Sequence, residues 1–208
     1  MKIILIIFSL IVSTPLLAQG SYEKGMQKAM EIYGSGNVDE AANLFERIGN
    51  AEQDKWLPYY YVAQININKS WTLKDESVLK AQLDKAQEYV NLAKTFSKDN
   101  PEIMILQAHI YTAWVAYDGQ RYGMKYAPLV TEIYNKAKAV APDNPRVVLN
   151  KAEWDMGSAK YFGENVKPYC KDIEHSLELF ANFENEDPFY PKWGKERAEE
   201  VLKTCNEQ

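Results

Sequence analysis

The tripeptide Asp99-Asn100-Pro101 returns 44 residues later as Asp143-Asn144-Pro145, and this repetition limits what the chain can fold into. An Asp/Asn cap followed by Pro is a helix start, because Pro lacks the N–H that the first helical turn would leave unpaired. Glu186-Asp187-Pro188 has similar chemistry just before Pro191. Five alanines share the frame, Ala29, Ala63, Ala108, Ala152 and Ala198, and seven residues before them stand Tyr22, Trp56, Pro101, Pro145 and Pro191. A fixed period of this size marks a chain of stacked supersecondary units rather than one central core.

Between these starts the apolar period is helical. Met26, Ala29, Met30 and Tyr33 fall at i, i+3, i+4 and i+7, and so do Ala41, Leu44, Phe45 and Ile48. Gly34-Ser35-Gly36-Asn37 reads as the turn between them. The pattern predicts helix pairs 22–34 with 38–48, 55–69 with 75–97, 101–117 with 128–141, and 145–157 with 168–185. A ninth helix is predicted from Pro191 to about Cys205. Only 1–12 and 59–62 are locally strand-like by propensity.

Gly36-Asn37-Val38-Asp39-Glu40-Ala41, with Phe45 following, resembles the second helix of a tetratricopeptide repeat (TPR). Residues 136–145, Lys-Ala-Lys-Ala-Val-Ala-Pro-Asp-Asn-Pro, resemble the helix ending and Pro stop of the same family. The resemblance implies an all-α, TPR-like right-handed α-solenoid of about four antiparallel helix pairs with a C-terminal capping helix. Ala29 and Ala41 would then mark the close approach of the two helices in the first repeat. Asp143-Asn144-Pro145-Arg146, Tyr161-Phe162-Gly163 and Pro191-Lys192-Trp193-Gly194 together resemble exported TPR-like proteins of Bacteroidetes.

The first eighteen residues stand apart. Lys2 is followed by an almost wholly apolar run to Leu17, and Ala18 precedes the polar Gln19-Gly20-Ser21, the pattern of a secretory signal peptide. The run is too short for a comfortable membrane span of roughly 20 residues. We therefore expect a signal peptide at 1–18 and a repeat domain at 19–208, exported to the periplasm or beyond, with no membrane span after cleavage. The net charge of -5 argues against a nucleic-acid partner, which would require a basic face.

Two surfaces are candidates for binding. The concave groove of first helices collects Met26, Met30, Tyr60, Gln64, His109, Thr112, Arg146 and Glu153, a lining suited to an extended peptide or helix. Some TPR proteins clamp a C-terminal carboxylate with Lys and Asn on the first helix; Met26 and Met30 occupy those places, so that clamp is absent. The second surface follows from repeats two to four exceeding 34 residues, with the excess between the paired helices, at 68–77, 117–127 and 157–169. These insertions would share one edge, and Trp71, Tyr122 and Phe162 are its candidate contacts. The same aromatics would otherwise fill space left by lengthened helices.

Catalytic chemistry is sparse. No nucleophile elbow, phosphate loop or dinucleotide glycine pattern is present, and His109 and His175 lack a metal-ligand partner at i+4. No enzyme and no cofactor is expected. Cys170 and Cys205 are equidistant from the turn at 187–188, so an antiparallel hairpin sets them at one height. They either form a disulfide, as an oxidising compartment permits, or remain two half-buried thiols facing different ways. The expected function is a periplasmic scaffold for an envelope protein or peptide; a binder of small molecules or glycans is the alternative.

Overall fold

The structure is a computed structural model and describes residues 15–52 and 54–206. It is all-α: α1 (Pro15–Gly34), α2 (Val38–Ala51), α3 (Leu57–Ser70), α4 (Glu76–Phe96), α5 (Pro101–Tyr117), α6 (Gly119–Val140), α7 (Pro145–Tyr161), a 3-10 turn (Lys167–Tyr169), α8 (Cys170–Asn182) and α9 (Lys195–Asn206). Consecutive helices pack as pairs, while α3, α5 and α7 touch in series and α9 lies on α8. Most of the predicted signal segment, residues 1–14, lies outside the described residues.

The repeated tripeptides act as helix starts. Asn100 Oδ1 accepts from the Glu102 N–H at 2.9 Å, and Asn144 Oδ1 accepts from those of Arg146 and Val147 at 2.9 and 3.2 Å. Ala29 and Ala41 are fully buried where α1 meets α2. Contact between α2 and α3 is closer still: a Cβ on Gly49 would lie 2.8 Å from the Tyr59 ring, so only glycine fits. Helix α3 is buried on nearly every side from Leu57 to Ile67, which is why its Tyr59–Val62 stretch has no amphipathic period. The core is three clusters along the stack. One joins α1 to α5 around Phe45 and Tyr60; another lies at α5–α7 around Val130 and Tyr134; the last joins α7 to α9 around Leu149 and Ile173.

Four predicted boundaries are displaced by more than three residues: α1 starts at Pro15 rather than Tyr22, α7 runs on to Tyr161 rather than ending at Gly157, and the starts of α6 and α9 move for identifiable physical reasons. Helix α6 starts at Gly119 rather than Pro128, because Asp118 Oδ1 accepts from the Arg121 N–H at 3.0 Å and caps a helix nine residues earlier. Pro128 sits inside that helix, so the expected 117–127 loop does not exist. Helix α9 starts at Lys195 rather than Pro191, because residues 183–194 are a strap that runs back over the first helices. Gly194 ends the strap at φ 115, in a left-handed conformation, and a Cβ there would lie 2.7 Å from Phe180 Cζ. A disulfide ties Cys170, the first residue of α8, to Cys205 near the end of α9.

Candidate functional site

An open cleft of about 1120 Å³ lies between α5, α6 and α7. It is lined by Thr112, Val115 and Ala116 of α5, by α6 from Gly119 to Tyr134, and by Trp154, Gly157 and Tyr161 of α7. Its width follows from sequence. Gly119, Gly123 and Ala127 are four residues apart, so they share one smooth face of α6, opposite Gly157-Ser158 on α7. A Cβ on Gly123 or Gly157 would meet nothing within 4 Å. Small residues on both walls leave empty the space that larger side chains of an ordinary helix pair would fill.

The lip of the cleft is apolar. Met124, Phe162, Tyr161 and Trp71 are 91, 73, 66 and 42 % exposed, four of the eight exposed large hydrophobic residues among those described. Single exposed hydrophobic residues are ordinary, but a cluster around a concavity marks a binding surface. Tyr161 and Phe162 meet edge to face at 5.2 Å, and Tyr161 lies over Gly119.

Polar groups are few and fixed. Asn150 donates from Nδ2 to the Arg146 carbonyl at 2.7 Å, so its Oδ1 faces His109 Nε2, also at 2.7 Å. That arrangement assigns the proton to Nε2 and leaves Nδ1 bare. Burial pushes the His109 pKa down, against the pull of the Asn150 bond, so the ring is neutral. Trp71 and Trp193 flank it at 6.3 and 6.1 Å. At the α9 end, Arg197 Nε donates to Glu153 Oε1 at 2.7 Å and Nη1 to Glu200 at 2.8 Å. Burial raises the Glu153 pKa, and Arg197 opposes the rise. Trp154 Nε1 donates to Thr131 Oγ1 at 2.9 Å.

The residues expected to bind are divided among three places. His109, Thr112 and Glu153 from the groove set, with Trp71 and Phe162 from the rim set, line the cleft. Tyr122 does not. It packs on Trp114 at 4.8 Å and donates to Glu76 Oε1 at 2.6 Å, filling space beside the lengthened α6.

Met26, Tyr60, Gln64 and Arg146 are buried, and Met30 is half-buried against the first core cluster. Strap residues cover this part of the groove. The Phe189 carbonyl accepts from Tyr61 Oη at 2.7 Å, Trp193 Nε1 donates to Tyr60 Oη at 2.8 Å, and Tyr190 Oη donates to Glu102 Oε1 at 3.2 Å. Arg146 pairs with Glu102 at 2.8 Å, both almost fully buried, and lies against the Phe183 and Tyr190 rings at 4.8 and 5.4 Å.

Sequence reasoning did not single out Met124, Trp154, Asn150 or Arg197, and it reached Tyr161 only as part of the Tyr161-Phe162-Gly163 motif. The available signal was the small-residue period of Gly119, Gly123 and Ala127 set against Gly157-Ser158.

No protein-family model and no curated protein matches the chain. Solved structures do. The chain is similar to the HusA haemophore from Porphyromonas gingivalis, at 21% identity and a TM-score of 0.79, covering 89% of this chain and 93% of that one. It is also similar to a thermophilic TPR protein from Thermus thermophilus, at 14% identity and a TM-score of 0.56, covering 90% and 100%. The chain has a TPR-like all-α helical-repeat fold and resembles a Bacteroidetes protein in that fold. Neither neighbour is described as an enzyme. Among the described residues, no helix is long and apolar enough to cross a membrane.

Proposed function

We propose that this protein is an exported, non-enzymatic carrier that takes a large, flat, mainly apolar small molecule into the α5–α6–α7 cleft, and that the ligand class is a tetrapyrrole. The observation that carries the proposal is the cleft itself. At about 1120 Å³ it lies just above the usual range of small-molecule sites, which run to roughly 1,000 Å³. Smooth glycine walls suit a flat body, and Trp71, Trp154, Tyr161 and Phe162 provide ring faces and edges. The fold neighbour described as a haemophore supports the same class. If the cargo holds iron, His109, Met124 and Tyr161 are lining side chains chemically able to ligate it.

Export is part of the proposal, with residues 1–18 as the signal and 19–208 as the mature domain. A disulfide between Cys170 and Cys205 supports an oxidising destination. A second reading, a scaffold for an envelope protein or peptide, draws support from the exposed lip of Met124, Tyr161 and Phe162. The strap over α1, α3 and α5 leaves that reading the cleft region rather than the rest of the groove.

The test is an absorption titration of the mature chain with protoporphyrin IX and with ferric haem. Wild type should saturate at one equivalent, and Gly123→Leu should bind at least about tenfold more weakly with an unchanged circular dichroism spectrum. A wild type that does not saturate, or a Gly123→Leu protein that binds equally well, overturns the proposal.

A further inference from the structure

At the other end of the α5–α6 hairpin, where α4 ends, a second cavity of about 420 Å³ has a different character. Lys94, Lys98 and Lys136 line it with Asp99, over a floor of Ile103, Met104 and Ile133. Asp99, at a left-handed φ of 55, pairs with Lys136 at 2.7 Å and so offsets one of the three ammonium groups. Lys94 has no carboxylate within ion-pair distance among the described residues. Its Nζ donates to Gln107 Oε1 at 2.8 Å, and that amide is itself held by Gln87.

A half-buried ammonium bound only to a neutral amide is poorly compensated for the water it has lost. Burial lowers the Lys94 pKa, and the nearby Lys136 lowers it further. The seventeen-residue α5 begins at this cavity, with its first turn capped by Asn100. The cavity thus carries two uncompensated positive charges in a chain whose net charge is -5. The repeat itself does not require this arrangement. Forty-four residues on, Lys94 has its counterpart in Lys138, but Pro142 and Phe180 stand where Lys98 and Lys136 would be.

We propose that this cavity is an anion site for a dianionic phosphoryl group, taken as free phosphate or as a phosphomonoester, held by Lys94, Lys98 and Lys136. Two uncompensated charges match a dianion, and charge-assisted hydrogen bonds to three ammonium groups suit its tetrahedral oxygens. The site is separate from the cleft and does not depend on what the cleft carries.

The test is an amide chemical-shift titration of the mature chain with inorganic phosphate and with glycerol 3-phosphate, at ionic strength held constant with chloride. Saturable shifts should appear over residues 94–104 and at 133–136. Lys94→Gln and Lys136→Gln should each weaken binding by about tenfold, while Lys80→Gln, on the exposed face of α4, leaves it unchanged. Tighter binding of the ester assigns the site to phosphomonoesters, and equal binding assigns it to free phosphate. Shifts that chloride alone reproduces, or Lys94→Gln and Lys136→Gln proteins that fold and bind like wild type, overturn the proposal. Should Lys94→Gln fail to fold, the exposed Lys98→Gln variant must show the weakening instead.

Discussion

The concave side of this solenoid is sealed over α1, α3 and the start of α5, yet open over the end of α5, α6 and α7. In the sealed part, large side chains meet a strap of the chain's own residues 183–194. There Tyr60 and Arg146 are buried, and polar atoms of the strap bind those of the helices. In the open part, glycine faces glycine or serine, and large apolar side chains stand exposed at the lip. A repeat scaffold offers a groove along its whole length. Side-chain volume and the course of one irregular segment decide how much of that groove is left for a ligand.

Breaking the sealed half should have the largest effect on stability. Arg146→Met leaves Glu102 buried without its ion-pair partner and should destabilise by about 3–5 kcal/mol in urea unfolding, with the Glu102→Leu/Arg146→Met double variant recovering much of the loss. Should Arg146→Met prove neutral, the strap would not be locked by this pair.

Next is the tie that holds the strap's far side. The Cys170–Cys205 bridge spans 35 residues, and Cys170→Ser/Cys205→Ser should lose roughly 3–4 kcal/mol, read as a lower melting temperature that dithiothreitol reproduces in wild type. Trp193→Phe removes the bond to Tyr60 Oη and should cost about 1 kcal/mol. The open half should behave oppositely. Gly123→Leu meets empty space and gains helix propensity, so stability should hold or rise by about 0.5–1 kcal/mol while ligand binding falls.

Acid should sharpen the contrast with smaller effects. His109 has a lowered pKa in the folded protein, so its contribution is complete above the unfolded value of about 6.5 and is lost as pH falls through the folded value. Glu153 works the other way, its raised pKa giving relative stability as the pH drops. His109→Gln should therefore flatten the decline in melting temperature below about pH 6.5, and Glu153→Gln should not.

The fold was legible where one local signal decided it. Asn100 and Asn144, each followed by Pro, place α5 and α7 because cap and ring act within a single turn. The start of α6 was obscured by Pro128, a helix-start signal overridden by Asp118 capping upstream and by the packed Tyr111, Trp114, Tyr122 and Tyr126 rings. Pro191 misled in the opposite sense, since the strap's path is set by contacts with Tyr61, Tyr60 and Glu102, more than 80 residues away in sequence. The cleft was half legible. Trp71, His109, Thr112, Glu153 and Phe162 could be named from repeat position, but nothing local distinguishes them from Tyr60 and Arg146, which occupy equivalent rows beneath the strap.

The central claim is that ligand enters the open half and not the groove as a whole. Hydrogen exchange of the mature chain with and without protoporphyrin IX tests it most directly. Protection gained at the end of α5, the first half of α6 and the end of α7, with α1 and α3 unchanged, is the predicted result. Protection spread over α1 and α3, or release of residues 183–194, would contradict the account.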